Sequence, residues 1–93
     1  MPRYLVFHKI HKMFDTQDAW VEDFKELRHR ANGAGGGPRW FRSWFAAPES
    51  ELICEWEAPG PAEIPSCFTQ EELQMAPIVR VLEVAFFDAS WLE

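Results

Sequence analysis

Residues 39–57, RWFRSWFAAPESELICEWE, hold two strand-forming segments separated by a short turn. The segments 39–45 and 51–57 carry the large apolar side chains of this stretch, which favours strands. Pro48 and the small and polar residues around it interrupt the apolar pattern, as is typical of a hairpin connection. The stretch predicts two neighbouring antiparallel strands, the second and third of the fold.

The chain extends this hairpin by one strand and one helix on each side. Residues 3–10 (RYLVFHKI) and 78–87 (IVRVLEVAFF) are rich in β-branched and aromatic types and predict the first and fourth strands. Thr16 is placed to cap a helix that runs to Ala31, because the apolar residues of this segment recur at helical spacing. The residues that form this apolar stripe are Trp20, Phe24, Leu27 and Ala31.

A second helix precedes the fourth strand. Thr69, followed three residues later by Glu72, predicts a capping box, and Pro77 ends the helix. The proline-rich segment before it predicts only a turn or two of helix near 62–68. The order β-α-β-β-α-β predicts an α+β fold of the ferredoxin-like type. In that fold both helices cover one face of a four-stranded antiparallel sheet, whose strand order is fourth, first, third, second.

The length of 93 residues predicts a single ferredoxin-like domain over 1–93. A hydrophobic fraction of 47%, with five Trp and eight Phe, excludes a disordered chain. The net charge of −6 argues against nucleic acid as a partner.

No signal-like segment and no apolar run of about 20 residues is present, so we expect a cytoplasmic protein with no membrane partner. Cys54 and Cys67 are then expected to be reduced thiols. The glycine-rich segment 32–38 follows a helix instead of leading into one, which predicts a flexible connection rather than a phosphate-binding loop.

Alternation along each strand divides the side chains between the two faces of the sheet. We expect the more apolar set to lie under the helices: Leu5, Phe7, Phe41, Ser43, Phe45, Leu52, Cys54 and Trp56. The open face, which lies away from the helices, is then predicted to carry His8, Trp40, Arg42, Trp44, Glu55, Glu57 and Glu83. In a symmetric hairpin Arg42 lies opposite Glu55 and Trp40 opposite Glu57, with His8 within reach of both carboxylates.

An open face that combines tryptophans with charged side chains suits neither bulk water nor a dry core. Two sheets packed open face to open face bury the rings and enclose the charges. The sequence thus predicts a homodimer with the architecture of a dimeric α/β barrel. Two simpler alternatives remain. Arg42 forms only an ion pair with Glu55, and His8 has a structural role in the dimer interface.

The segments WFRSWF (40–45) and ICEWEAP (53–59) resemble the pattern of a small bacterial family of domains of unknown function. That family has Trp-x-x-Ser-Tyr on its second strand and Cys-x-Tyr-x-Ala-Pro on its third. The resemblance covers most of the chain and implies the ferredoxin-like dimeric α/β barrel superfamily. One branch of the family binds nickel, and its ligand positions are matched here by His8, Arg42 and Cys67, of which His8 and Cys67 are metal-ligating types.

Three functions follow as hypotheses. The first is a homodimeric protein that binds a small, partly aromatic or anionic molecule in the barrel cavity, between walls formed by Trp40 and Trp44. Its polar contacts are Arg42, Glu55 and Glu57, with His8. The second is a cofactor-free isomerase or oxygenase-like enzyme in which His8, assisted by a Glu, moves a proton and Arg42 neutralises developing charge. The third, implied by the resemblance, is a binder of a divalent metal such as nickel through His8, a carboxylate and Cys67. No other cofactor is predicted.

Overall fold

The computed structural model describes residues 1–11, 16–32 and 37–93. Two α-helices, α1 Gln17–Ala31 and α2 Gln70–Met75, follow the first and third strands in the chain. Short 3-10 turns occupy Ala47–Glu49, Pro61–Glu63, Pro65–Cys67 and Ala89–Leu92. One sheet contains the four strands β1 Arg3–Lys9, β2 Arg39–Ala46, β3 Glu51–Glu57 and β4 Ile78–Val84.

The strands lie in the order β2-β3-β1-β4, and each adjacent pair is antiparallel. The chain is therefore α+β, and the predicted strand order is confirmed. This order is consistent with the ferredoxin-like arrangement. The fourth strand ends at Val84 rather than at residue 87, so the aromatic residues that follow it lie beyond the sheet.

Both helices begin at the predicted capping residues. The Thr16 hydroxyl accepts a hydrogen bond from the Ala19 N–H at the start of α1. At the start of α2, Thr69 and Glu72 each accept a hydrogen bond from the other's backbone N–H, over 3.1 and 2.8 Å, which confirms the capping box. The helical turns predicted near 62–68 are two 3-10 turns, each opened by a proline, whose fixed φ suits a first helical position. Most of the predicted glycine-rich connection, residues 33–36, lies outside the described residues.

The core lies between the helix side of the sheet and the helices. Trp56, at its centre, is fully buried. A row of rings crosses the core: Trp56 lies 5.6 Å from Phe68 and 6.5 Å from Trp40, and Trp40 lies 5.6 Å from Phe24 of α1, measured between ring centroids. Trp56 and Phe24 are therefore core residues, as predicted.

The faces of β1 are the reverse of those predicted. Tyr4, Val6 and His8 are buried on the helix side, whereas Leu5 and Phe7 lie on the open face. Adjacent strands place paired residues on the same face, and Val6 pairs with the buried Cys54. Both side-chain sets of β1 are apolar, so hydrophobicity alone did not distinguish them. Glu83, opposite Tyr4 and hydrogen-bonded to it, also lies on the helix side rather than on the open face.

A β-bulge near the start of β2 changes which of its side chains face the helices. The register shifts between Trp40, opposite Trp56, and Arg42, opposite Glu55, which leaves Phe41 as the extra residue. Trp40 consequently lies on the helix side, not on the open face, and its predicted pairing with Glu57 is wrong. The predicted pairing of Arg42 with Glu55 is confirmed. Phe41, predicted to lie in the core, instead lies 4.4 Å from the Arg3 guanidinium.

Within the three described ranges, no helix combines the length and apolar character needed to cross a bilayer.

Candidate functional site

A cleft lies between the helix side of the sheet and α1, and its inner end is a cavity of about 40 Å³. Its lining is mainly apolar, with His8 of β1, Asp23 of α1 and Glu72 of α2 as the ionisable groups beside the Cys54 thiol. One water molecule needs roughly 10–15 Å³ of such space, and roughly 150 Å³ accepts benzene. The inner cavity therefore fits a small polar group and not a whole ring.

Next to the inner cavity lies an outer cleft with a volume of about 330 Å³. Trp20, Phe24 and Leu52 line both parts, and Ser43 and Phe45 complete the outer one. Phe45 was predicted to be a core residue, but at this wall it is 44% exposed. Aromatic walls thus lead from the surface to the inner cavity.

His8 is the most deeply buried polar residue of this cleft, with 1% of its surface exposed. Its ring lies 5.1 Å from that of Phe68, and its Nδ1 lies 2.8 Å from the carbonyl oxygen of Ala76. Because a carbonyl oxygen only accepts, Nδ1 carries the proton, and Nε2 of the neutral ring holds a lone pair. Nε2 is buried and has no hydrogen-bond partner among the described residues.

The charge state of His8 follows from the same surroundings. Burial lowers its pKa below the ordinary value of 6.5, and the hydrogen bond to Ala76 opposes this only in part. The ring is therefore neutral at pH 7, with an acceptor lone pair on Nε2.

The carboxyl groups of Asp23 and Glu72 form the other polar side of the cavity, and the Arg30 guanidinium is bound to Glu72 outside the described lining. Burial, followed by the hydrogen bond and the charge of Glu72, raises the pKa of Asp23 to about 7. Burial also raises the pKa of Glu72, but hydrogen bonds from the Thr69 backbone, Asp23 and Arg30 outweigh it, so that this pKa is lowered. Glu72 is thus the ionised member of the pair, and Asp23 shares its proton near neutral pH.

Cys54 and Cys67 are free thiols, as predicted. Burial, opposed in part by a hydrogen bond from the Ser43 hydroxyl, raises the pKa of Cys54 to about 11, so the thiol is protonated at neutral pH. Burial also raises the pKa of Cys67. A thiol in this state is neither an activated nucleophile nor a ready metal ligand.

The described residues contain no cluster of three or more His, Cys, Asp or Glu side chains able to hold a metal ion. Structural and catalytic sites for transition metals use three or four protein ligands. The described part of the chain therefore does not fit a nickel site built on His8 and Cys67, and that hypothesis stays a prediction from the resemblance.

The open face brings together four of the predicted ligand contacts: Arg42, Trp44, Glu55 and Glu57. Glu55, only 5% exposed, lies between two guanidinium groups, at 2.8 Å from Arg3 Nη1 and 3.1 Å from Arg42 Nε. Arg3 also reaches Glu57 at 3.4 Å. His8 and Trp40 are on the other side of the sheet, so the prediction that His8 reaches these carboxylates is wrong.

Arg3, Asp23 and Glu72 are functional candidates that the sequence did not single out. Arg3 could have been found from the register, because the residue opposite Glu57 on β1 shares its face. Asp23 and Glu72 lie on different helices, far apart in sequence, and no local pattern connects them.

Comparison with protein-family models, with curated proteins and with solved structures gives no match.

Proposed function

We propose that this protein binds a small molecule in the cleft between α1 and the sheet. The observation that carries the proposal is the lone pair of His8 Nε2, which is buried and unpartnered within the described residues. Leaving a buried acceptor unpaired costs roughly 1–3 kcal/mol. A ligand that donates a hydrogen bond to Nε2 recovers that free energy. Trp56 Nε1 is also buried without a partner in the described chain, but Trp56 lines neither part of the cleft.

The size and lining of the cleft support the same proposal. Ligand pockets have volumes of roughly 300–1,000 Å³, are mostly apolar, and hold a few polar groups that orient the ligand. The outer cleft of about 330 Å³ lies at the lower end of this range. Trp20, Phe24 and Phe45 provide the apolar walls, and His8 lies at the inner end.

The proposed binding place differs from the barrel interior that the sequence suggests. Arg42, Trp44, Glu55 and Glu57 lie on the open face, and we assign that face to a second copy of the chain. Trp44 is 50% exposed there, next to Phe86 and Phe87 at the edge of one shallow depression. Glu55 is already paired with Arg3 and Arg42 within one copy, and Glu57 with Arg3, so these four charges are not isolated when two such faces meet. A homodimer of this kind has the architecture of a dimeric α/β barrel.

Nuclear magnetic resonance tests the binding proposal. The ¹⁵N-labelled protein is titrated with toluene, p-cresol, p-toluate and indole, and the backbone amides are followed. We expect saturable shifts at Phe24, Leu52 and Phe68, reduced in His8→Phe and retained in the matched control His29→Phe, which alters an exposed histidine of α1. Amides that stay unmoved up to millimolar concentrations of all four compounds contradict the proposal.

Proton transfer is a second candidate function. Two groups that line the same cavity favour it: His8, a neutral base, and Asp23, whose carboxyl group shares its proton near neutral pH. The base then works with Asp23 and Glu72, and not with Glu55 or Glu57. The test follows deuterium uptake from D₂O into the methylene group of phenylacetone by proton NMR. Exchange faster than in buffer, and lost in His8→Phe, supports an isomerase-like activity. Exchange equal to that in buffer contradicts it for this carbon acid.

A further inference from the structure

The chemical class of the ligand can be narrowed from the polarity of the cleft, on the basis of the proposed function. The inner cavity of about 40 Å³ admits only a small group, whereas the outer cleft of about 330 Å³ has three aromatic walls. A ligand that occupies both parts has a flat apolar body and a small terminal group. The terminal group meets His8, Asp23 and Glu72.

The polar atoms at the inner end decide which terminal group fits. His8 Nε2 is an acceptor, since Nδ1 donates its proton to Ala76 O. Glu72 is an ionised carboxylate and also accepts. A group that donates a hydrogen bond is therefore matched to this end of the cleft.

An anionic terminal group is disfavoured by the same residues. No Lys or Arg side chain is among the described residues that line either part of the cleft. The nearest cation in this network, Arg30, is already bound to the Glu72 carboxylate at 2.5 Å and to the Cys67 carbonyl oxygen at 2.7 Å. A ligand carboxylate would approach Glu72, and within the described ranges no lining cation is available to compensate it.

We infer that the cleft selects neutral aromatic alcohols, with the ring between Trp20, Phe24 and Phe45 and the hydroxyl donating to His8 Nε2. The outer walls contribute affinity by excluding water from the ring, and they are tolerant of ring substitution. Selectivity comes from one hydrogen bond at the inner end. The sequence-based expectation of an anionic ligand held by Arg42 is replaced by a neutral one.

Three probes that differ in one substituent test the inference: toluene, p-cresol and p-toluate, which is ionised at neutral pH. Their dissociation constants are measured by NMR titration of the wild-type protein. We expect p-cresol to bind about tenfold more tightly than toluene, from one hydrogen bond to a buried acceptor. We expect p-toluate to bind more weakly than p-cresol. Equal affinities for toluene and p-cresol, or a preference for p-toluate, overturn the inference but leave the binding proposal standing. Failure of all three to bind removes both.

A spectroscopic measurement keeps the test independent of any variant that fails to fold. The chain has three histidines, and ¹⁵N spectra of their rings resolve the unprotonated nitrogen of His8. Binding of p-cresol should shift the Nε2 resonance upfield, as accepting a hydrogen bond does, whereas toluene should not. A bound p-cresol that leaves Nε2 unshifted overturns the inference. In His8→Phe the affinity ratio of p-cresol to toluene should fall close to one, and in His29→Phe it should stay about tenfold.

Discussion

Arg30 of α1 donates to the Glu72 carboxylate of α2 over 2.5 Å, and its Nε also donates to the carbonyl oxygen of Cys67 over 2.7 Å. One guanidinium thus connects the end of α1 to the 3-10 turn at Pro65–Cys67 and to the start of α2. Glu72 is buried, whereas Arg30 is about one third exposed. The capping box of α2 uses the same Glu72 oxygen. The pair therefore fixes the short helix that closes the inner cavity.

Replacing Arg30 should destabilise the fold because it leaves the buried Glu72 carboxylate without its cation. We expect Arg30→Ala to lower the free energy of unfolding by about 2 kcal/mol, allowing for the partial exposure of the arginine. Urea unfolding followed by circular dichroism measures the change. Arg28→Ala, an exposed arginine in the same turn, is the control and should change stability by no more than about 0.5 kcal/mol. Equal effects of the two substitutions would contradict this role of Arg30.

His8 should make the fold weaker in acid. Its pKa is lowered in the folded state, mainly by burial, so the unfolded chain binds the proton more readily below pH 6.5. The His8 contribution to the free energy of unfolding is fully present above that pH and falls as the pH falls below 6.5 towards the lowered pKa. The difference in stability between wild type and His8→Phe should therefore shrink over this range. The difference between wild type and His29→Phe should not follow the same course, and a parallel course in both would count against a buried neutral His8.

Asp23 should have the opposite pH dependence. Its pKa is raised to about 7 by burial and by Glu72, so the folded state keeps a proton that the unfolded chain releases near pH 4. The stability from this proton is fully present below pH 4 and is lost as pH rises through 7. We expect Asp23→Asn to gain stability relative to wild type between pH 5 and pH 8.

Urea unfolding at both pH values measures this gain, and Glu22→Gln, on an exposed position of α1, is the control. The difference in the free energy of unfolding between Glu22→Gln and wild type should stay the same between pH 5 and pH 8. An Asp23→Asn curve parallel to wild type would show that the carboxyl is ionised throughout.

Local signals in the sequence determine most of the backbone. The capping residues Thr16 and Thr69 and the hairpin at 39–57 follow from side-chain chemistry within a few residues, and the strand order follows from the fold type that the order of elements predicts. The assignment of side chains to the two faces of the sheet does not follow from such local chemistry. A β-bulge makes Phe41 an extra residue in β2, so that Trp40 and Arg42 lie on opposite faces of the sheet. The residue types at this position do not predict the bulge.

The candidate site is harder to predict than the fold for the same reason. The sequence singles out His8, but the face on which it lies depends on the pairing of Val6 with Cys54 and not on the pattern of its own strand. Asp23 and Glu72 meet only when α1 and α2 are packed on the sheet. Paired groups from separate elements have no spacing in the sequence that could reveal them.

The reversal of β1 bears directly on the predicted dimer, because it adds Leu5 and Phe7 to an open face that already holds Trp44. We propose that this face is buried in an isologous dimer, in which the same patch meets itself across a two-fold axis. Trp44→Glu places one negative charge on each copy of that face and removes two large apolar side chains. We expect wild type to sediment as a dimer at micromolar concentration and Trp44→Glu as a monomer. Val21→Glu, which adds the same charge at an exposed position of α1, should remain dimeric. A monomeric wild type, or a dimeric Trp44→Glu, would exclude the open face as the interface.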